Sequence, residues 1–280
     1  FDTISKKRLS DQELKKLLKD GSNFLTPNLT SDLLDEALSL FVRLSEDNVR
    51  AIAKSFVERT LSVYSTSISG APGKFIAEAF VPRSQLLGQI RAFLRQNQKT
   101  IFPVIAESGQ GKSCELCGIA SHLINEKEVV FFFSGIQLEG NSLIKNLYSE
   151  MAWSLHDVVD EVKLCARLKQ IFSDTGLIII IDAVDEWTNE NKVSELVRLA
   201  EKFSGSKVKF IVSSKPSVWK RELLSRKGEP TGIHLHCYNG SQGENLENYS
   251  IPNHTDKEFH LLFSRYRKFF EYSGSIEPSF

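Results

Sequence analysis

An apolar run at residues 101–106 leads straight into Glu107-Ser108-Gly109-Gln110-Gly111-Lys112-Ser113-Cys114, and no other stretch limits the fold so tightly. A loop with two glycines ahead of Lys-Ser, set between a predicted strand and a predicted helix, can curl until successive backbone N–H groups point at one anion. Gly109 and Gly111 let the backbone turn without a Cβ in the way. Lys112 can bridge the β- and γ-phosphates of a nucleotide, and Ser113 can offer its hydroxyl to Mg²⁺. The pattern is G-x-x-x-x-G-K-[S/T] with Ala106 in the first position, a residue small enough for close approach but without glycine's freedom at positive φ.

A bound triphosphate needs a divalent cation, and the cation needs an oxygen ligand from a neighbouring strand. Residues 178–187, IIIIDAVDEW, provide a candidate. Asp182 ends an apolar strand and is expected to bind Mg²⁺, directly or through water. Asp185 and Glu186 follow one turn later, where either could orient an attacking water and accept its proton. A metal ligand is poorly placed to take a proton as well, so the base is sought in that pair and not in Asp182.

Five short apolar runs, at 101–106, 129–133, 177–181, 208–212 and 233–237, alternate with mostly amphipathic segments. The middle three are almost wholly β-branched or aromatic, as strands are when both faces of a parallel sheet are covered. The expected fold is therefore α/β, a parallel sheet flanked by helices, and with the glycine loop and the acidic strand end it resembles the P-loop NTPase (ASCE-type) fold. Residues 1–74 are read as a helical N-terminal region ending in the Ser-, Gly- and Pro-rich linker STSISGAPGK. Residues 75–252 form the α/β domain, and 253–280 begin a further helical region.

Lys plus Arg balance Asp plus Glu at 35 each, so no global field draws nucleic acid or anionic lipid. No apolar stretch approaches the roughly 18 residues of a membrane span, and four cysteines make no disulfide framework, which points to a cytoplasmic protein. The chain starts at Phe1 and its one methionine is Met151, so it is expected to be part of a longer protein. Cys114 and Cys117 are read as packing residues, as is Trp187. His234 and His236 alternate along the fifth predicted strand and share a face, a weak metal pair at most.

With both motifs in view, the chain resembles the STAND NTPases, the signalling branch of P-loop ATPases that includes NACHT and NB-ARC proteins. The hhhhD-A-h-D-E form of IIIIDAVDEW is NACHT-like. FVPRSQLLGQIRAFL, 80–94, is similar to the segment that precedes the phosphate loop in that family, with Phe80, Val81 and Arg83 matching and Pro82 in place of glycine. VKFIVSSKP, 208–216, is similar to its sensor-1 strand, with Lys215 where the family has arginine. The resemblance spans residues 78–272. It implies that Phe80, Val81 and Arg83 lie by the adenine and that Lys215 senses the γ-phosphate. It also implies an ATP/ADP switch with slow or conditional hydrolysis, self-association in the ATP state, and effector and sensor regions elsewhere in the longer protein. A motor or loader ATPase of the AAA+ type and a non-hydrolysing nucleotide-binding scaffold are the alternatives.

Overall fold

The computed structural model describes residues 46–66, 73–138, 140, 142–151, 161–223, 232–238 and 251–271. The part of the expected helical N-terminal region before residue 46 lies outside these residues. The elements in order are α1 (Glu46–Ser65), α2 (Ser84–Arg95), β1 (Ile101–Ile105), α3 (Lys112–Asn125), β2 (Val130–Ser134), α4 (Leu143–Glu150), α5 (Glu161–Ile171), β3 (Leu177–Asp182), α6 (Lys192–Lys202), β4 (Val208–Ser214), α7 (Pro216–Leu223), α8 (Gly232–His236) and α9 (Asp256–Phe269).

The four strands form one parallel sheet in the order β1-β4-β3-β2. β4 is thus inserted between the strand that feeds the glycine loop and the strand that ends in Asp182. Alternation along each strand sends side chains to opposite faces. Ile179 and Ile181 join Phe131 and Phe133 in one core, with α4, α5 and α6. Ile178 and Ile180 join Phe132 in the other, with α2 and α3. Each fully buried Ile or Phe contributes about 1.5–3 kcal/mol relative to exposure. That is why these runs read as continuous apolar stretches and not as alternating ones. The α/β parallel sheet flanked by helices expected from the sequence is the fold.

β2 is an edge strand, and an uncovered edge invites foreign pairing. Helix α1 lies along it and supplies residues to both cores: Val49, Ala53 and Phe56 to one, Val57 and Tyr64 to the other. The Thr60 hydroxyl, buried in this contact, donates to the Phe132 carbonyl at 3.2 Å.

The fifth strand expected over residues 233–237 is not one. Gly232–His236 is the short helix α8, and a single bridge, Ile101↔Cys237, reaches β1. The register explains this: the bridge sets Cys237 opposite Ile101, the first residue of β1, so residues 233–236 fall ahead of that strand and have none of it to pair with. The carbonyls of Ile101 and Ile105 accept from Tyr238 and Ile251 on the outer side of β1. His234 and His236 therefore sit about 200° apart around a helix and do not share a face.

Helix α9 is closed by a Thr255–Glu258 capping box. Glu258 also accepts from the Ser84 N–H at the start of α2, at 2.8 Å, and Arg265 donates to the Phe80 carbonyl, so α9 is tied to the segment ahead of the loop. No helix among the described residues is long and apolar enough to cross a membrane.

Candidate functional site

The loop between β1 and α3 has the strand–loop–helix form of a P-loop. Gly109 and Gly111 take the left-handed conformation, at φ 85° and 86°. Gly111 is the N-cap of α3. The turn is closed from within: the Glu107 N–H donates to Gln110 Oε1 at 3.0 Å, and the Gln110 N–H to the Glu107 carbonyl at 3.3 Å. Lys112 Nζ donates to the carbonyls of Ala106 (2.6 Å) and Glu107 (3.0 Å), which holds the ammonium over the loop. Ala106 is buried and is not among the positive-φ residues, so the backbone there does not require glycine. Ser113, in the first turn of α3, is half-buried, as is Cys114. Burial pushes the Cys114 thiol up to about 11, which keeps it protonated and unreactive at neutral pH.

Across the sheet's C-terminal edge, Asp182 is the last residue of β3 and is 3% exposed. Its two oxygens are held from different elements. Ser213 Oγ, from β4, donates to Oδ1 at 2.6 Å, and the Tyr64 hydroxyl, from α1, donates to Oδ2 at 2.9 Å. Ser213 Oγ in turn accepts the Ala183 N–H at 2.7 Å. Ala183 sits at φ 56°, a left-handed turn that reverses the chain into the 3-10 turn Val184–Glu186. This turn presents Asp185 and Glu186 differently. The Asp185 side chain is 7% exposed, with Oδ2 3.2 Å from Lys215 Nζ and Oδ1 buried without a hydrogen bond. Glu186 is exposed.

Burial pulls the Lys112 ammonium below the usual lysine range, while Asp185 and Asp182 pull it back up, with Lys215 acting against them. The two strand ends and the loop therefore share one electrostatic site. Among the described residues no group of three or more His, Cys, Asp or Glu could cage a metal. Mg²⁺ suits such a site, because it commonly takes one or two carboxylates and completes its shell with phosphate oxygens and water. Asp182 and Ser113 are the residues that would hold it.

The segment before α2 lies against the other side of the loop. The Phe80 ring packs on α3 at Gly118, where a Cβ would stand 2.0 Å from the ring. Val81 is buried, and Arg83 Nη2 donates to the Gln110 carbonyl at 3.2 Å. Arg83 Nε also lies 3.5 Å from Glu115 Oε1, yet burial outweighs that cation and pushes the Glu115 carboxyl up to about 7. His254 Nε2 is 3.8 Å from the same oxygen. Tyr64, Ser213, Glu115 and His254 are contributions that the sequence motifs do not mark as site residues. Ser213 stands inside the quoted VKFIVSSKP stretch, so a signal existed for it alone.

No protein-family model matches the chain. Over 165 residues, 55% of this chain, it is 24% identical to the adenylyl-sulfate kinase of Buchnera aphidicola subsp. Schizaphis graminum (strain Sg), covering 74% of that enzyme. Among solved structures it is similar to Drosophila ORC bound to DNA, at 14% identity over 50% of this chain and 81% of that one, with a TM-score of 0.35. It is similar to C. elegans PCH-2 at 17% identity over 50% of this chain and 38% of that one, TM-score 0.30. The structure of Drosophila ORC bound to AT-rich DNA and Cdc6 gives 13% identity over 62% of this chain and 55% of that one, TM-score 0.34. At such TM-scores the likeness says nothing about substrate or partner.

Proposed function

We propose that this chain is the ATP-binding and ATP-hydrolysing switch domain of a STAND-class, NACHT-like signalling protein. One observation carries the reading: the ends of β3 and β4 are interlocked twice, Asp182 with Ser213 and Asp185 with Lys215, beside the Lys112 ammonium. A third phosphate held by Lys112 would lie against both strand ends, and its loss would change the charge that each one meets. Magnesium and the triphosphate supply an electrophilic phosphorus when bound. Lys112 and the loop N–H groups hold the phosphates, Asp182 and Ser113 the ion, and Lys215 senses the γ-phosphate. Asp185 accepts the proton of a water placed by its free Oδ1. ATP favours a self-associating state in this reading, and ADP a closed one.

The similarity to adenylyl-sulfate kinase supports a second reading, phosphoryl transfer to a small hydroxylated acceptor. Calorimetry with ATP and ADP in Mg²⁺, phosphate release, and light scattering in each nucleotide separate the two. The switch reading expects ATP binding that Lys112→Ala abolishes, slow phosphate release to water, and a larger particle with ATP than with ADP. ADP formed only when adenylyl sulfate is present, with the phosphoryl group recovered on that acceptor and no phosphate released to water, favours the kinase. A wild-type protein that binds no nucleotide in Mg²⁺ overturns both.

A further inference from the structure

Tyr64 lies on α1, upstream of every segment expected to touch nucleotide, yet its hydroxyl meets Asp182 Oδ2 at 2.9 Å. An ionised carboxylate accepts at about four lone-pair sites. Ser213 on Oδ1 and Tyr64 on Oδ2 engage one on each oxygen, which leaves the others for an ion or its water. The torsion that turns an Asp carboxylate is broad and roughly two-fold, so little in the side chain itself fixes the carboxylate plane. Two donors from two different elements do fix it.

The phenol is itself held in place. Its ring stacks on Phe132 at 5.6 Å and 18°, and Lys74 Nζ stands 5.9 Å over it. The Tyr64 carbonyl accepts the Phe75 N–H at 3.1 Å where the chain returns. So the hydroxyl is aimed by β2 and by the C-terminal end of α1 together.

We propose that Tyr64 is a positioning residue for the metal site, setting the orientation in which Asp182 receives Mg²⁺, and that α1 is thereby part of the nucleotide site. The inference rests on the nucleotide reading above. Partners of this kind typically govern metal affinity by 10–100-fold, and because this one sits on a helix outside the loop and strand motifs, the N-terminal region gains a hold on the bound ion through Asp182.

The test is calorimetric ATP binding by the full chain in EDTA and at a series of free Mg²⁺ concentrations, for wild type, Tyr64→Phe, Thr60→Val and Asp182→Asn. Tyr64→Phe keeps the ring and loses only the hydroxyl. It is expected to raise the Mg²⁺ concentration for half-maximal tightening about 10-fold, with ATP affinity in EDTA unchanged. Thr60→Val removes a different buried hydrogen bond of α1, the one to β2, and is expected to leave the Mg²⁺ dependence at the wild-type value. Asp182→Asn abolishes it. A Tyr64→Phe variant with wild-type Mg²⁺ dependence overturns the proposal, as does one that binds Mg²⁺ more tightly, which would make the hydroxyl a competitor of the ion. Equal shifts in Tyr64→Phe and Thr60→Val overturn it too, since packing alone would then be at work. If wild type binds ATP without any Mg²⁺ dependence, or not at all, it is the nucleotide reading that fails.

Discussion

Lys215 Nζ stands 3.2 Å from Asp185 Oδ2, joining the residue after β4 to the turn after β3. The lysine is about half exposed and the aspartate side chain is buried, so solvent weakens the pair's contribution to stability and its main effect is to orient Asp185. The second carboxylate oxygen, Oδ1, is buried without a hydrogen bond. A buried acceptor left alone costs about 1–3 kcal/mol, more when charged, and such atoms concentrate where a ligand or water belongs.

That contrast separates the two candidate bases. Asp185→Asn keeps the shape and removes the charge, and is expected to lower phosphate release by about 100-fold or more while ATP still binds. Glu186→Gln, at an exposed position, is expected to stay within about threefold of wild type. Phosphate-release kinetics alongside calorimetry check both. A large loss in Glu186→Gln with an active Asp185→Asn would transfer the role to Glu186.

The single Thr60 hydroxyl proton is shared between two carbonyls, that of Phe56 within α1 at 3.0 Å and that of Phe132 across the α1–β2 contact at 3.2 Å. Thr60→Val preserves the branched shape but takes the donor away. Urea unfolding is expected to show a loss of about 1–2 kcal/mol with an unchanged m-value. A shift smaller than about 0.3 kcal/mol would mean that the edge of β2 is satisfied without Thr60.

The sheet and the phosphate loop were legible because their signals are local. Residues 177–182 carry strand, burial and terminal carboxylate in one stretch, and Gly109-Gln110-Gly111-Lys112-Ser113 carries its turn chemistry within itself. What was not legible is whatever a distant element decides. Residues 233–237 alternate in a way that suits a strand, but Cys237 pairs with Ile101, the first residue of β1, so 233–236 lie ahead of that strand with none of it to pair with. Tyr64 is 118 residues from Asp182, and nothing near either one announces the other. The choice between Asp185 and Glu186 was open for the same reason. It turns on the left-handed Ala183, whose conformation aims the following turn.

Gly118 illustrates a close approach that the sequence did not mark. An added Cβ would stand 2.0 Å and 2.1 Å from two atoms of the Phe80 ring, and a rigid ring set between α3 and Phe75 cannot move aside cheaply. Gly118→Ala is expected to cost about 1–3 kcal/mol from overpacking, against about 1 kcal/mol gained from alanine's helix preference. Adding Phe80→Ala should relieve the clash. The double variant is then more stable than the sum of the two single losses implies, by at least about 0.5 kcal/mol. Additive losses would show that Phe80 does not rest on Gly118 in solution.

Lys209 makes a pH-dependent prediction far from the nucleotide site. It lies in β4, 2% exposed, with Nζ donating to the Lys99 carbonyl at 2.6 Å and standing 5.4 Å over the Phe93 ring. Burial lowers its pKa from the ordinary 10.5 to about 8. Between these values the unfolded chain holds a proton that the folded chain has released. Lys209 therefore contributes stability that grows as pH rises from about 8 to 10.5 and is absent below 8. The full span is worth about 3 kcal/mol at most, at about 1.4 kcal/mol per tenfold in proton affinity. Lys209→Met removes this component. At pH 7 it is expected to be at least as stable as wild type, because a buried ammonium gives way to a side chain that packs without a charge. Urea midpoints at pH 7, 8.5 and 10 should show the wild type gaining on the variant as the pH rises. A difference that stays constant over that range would mean that water reaches the ammonium and that its pKa is ordinary.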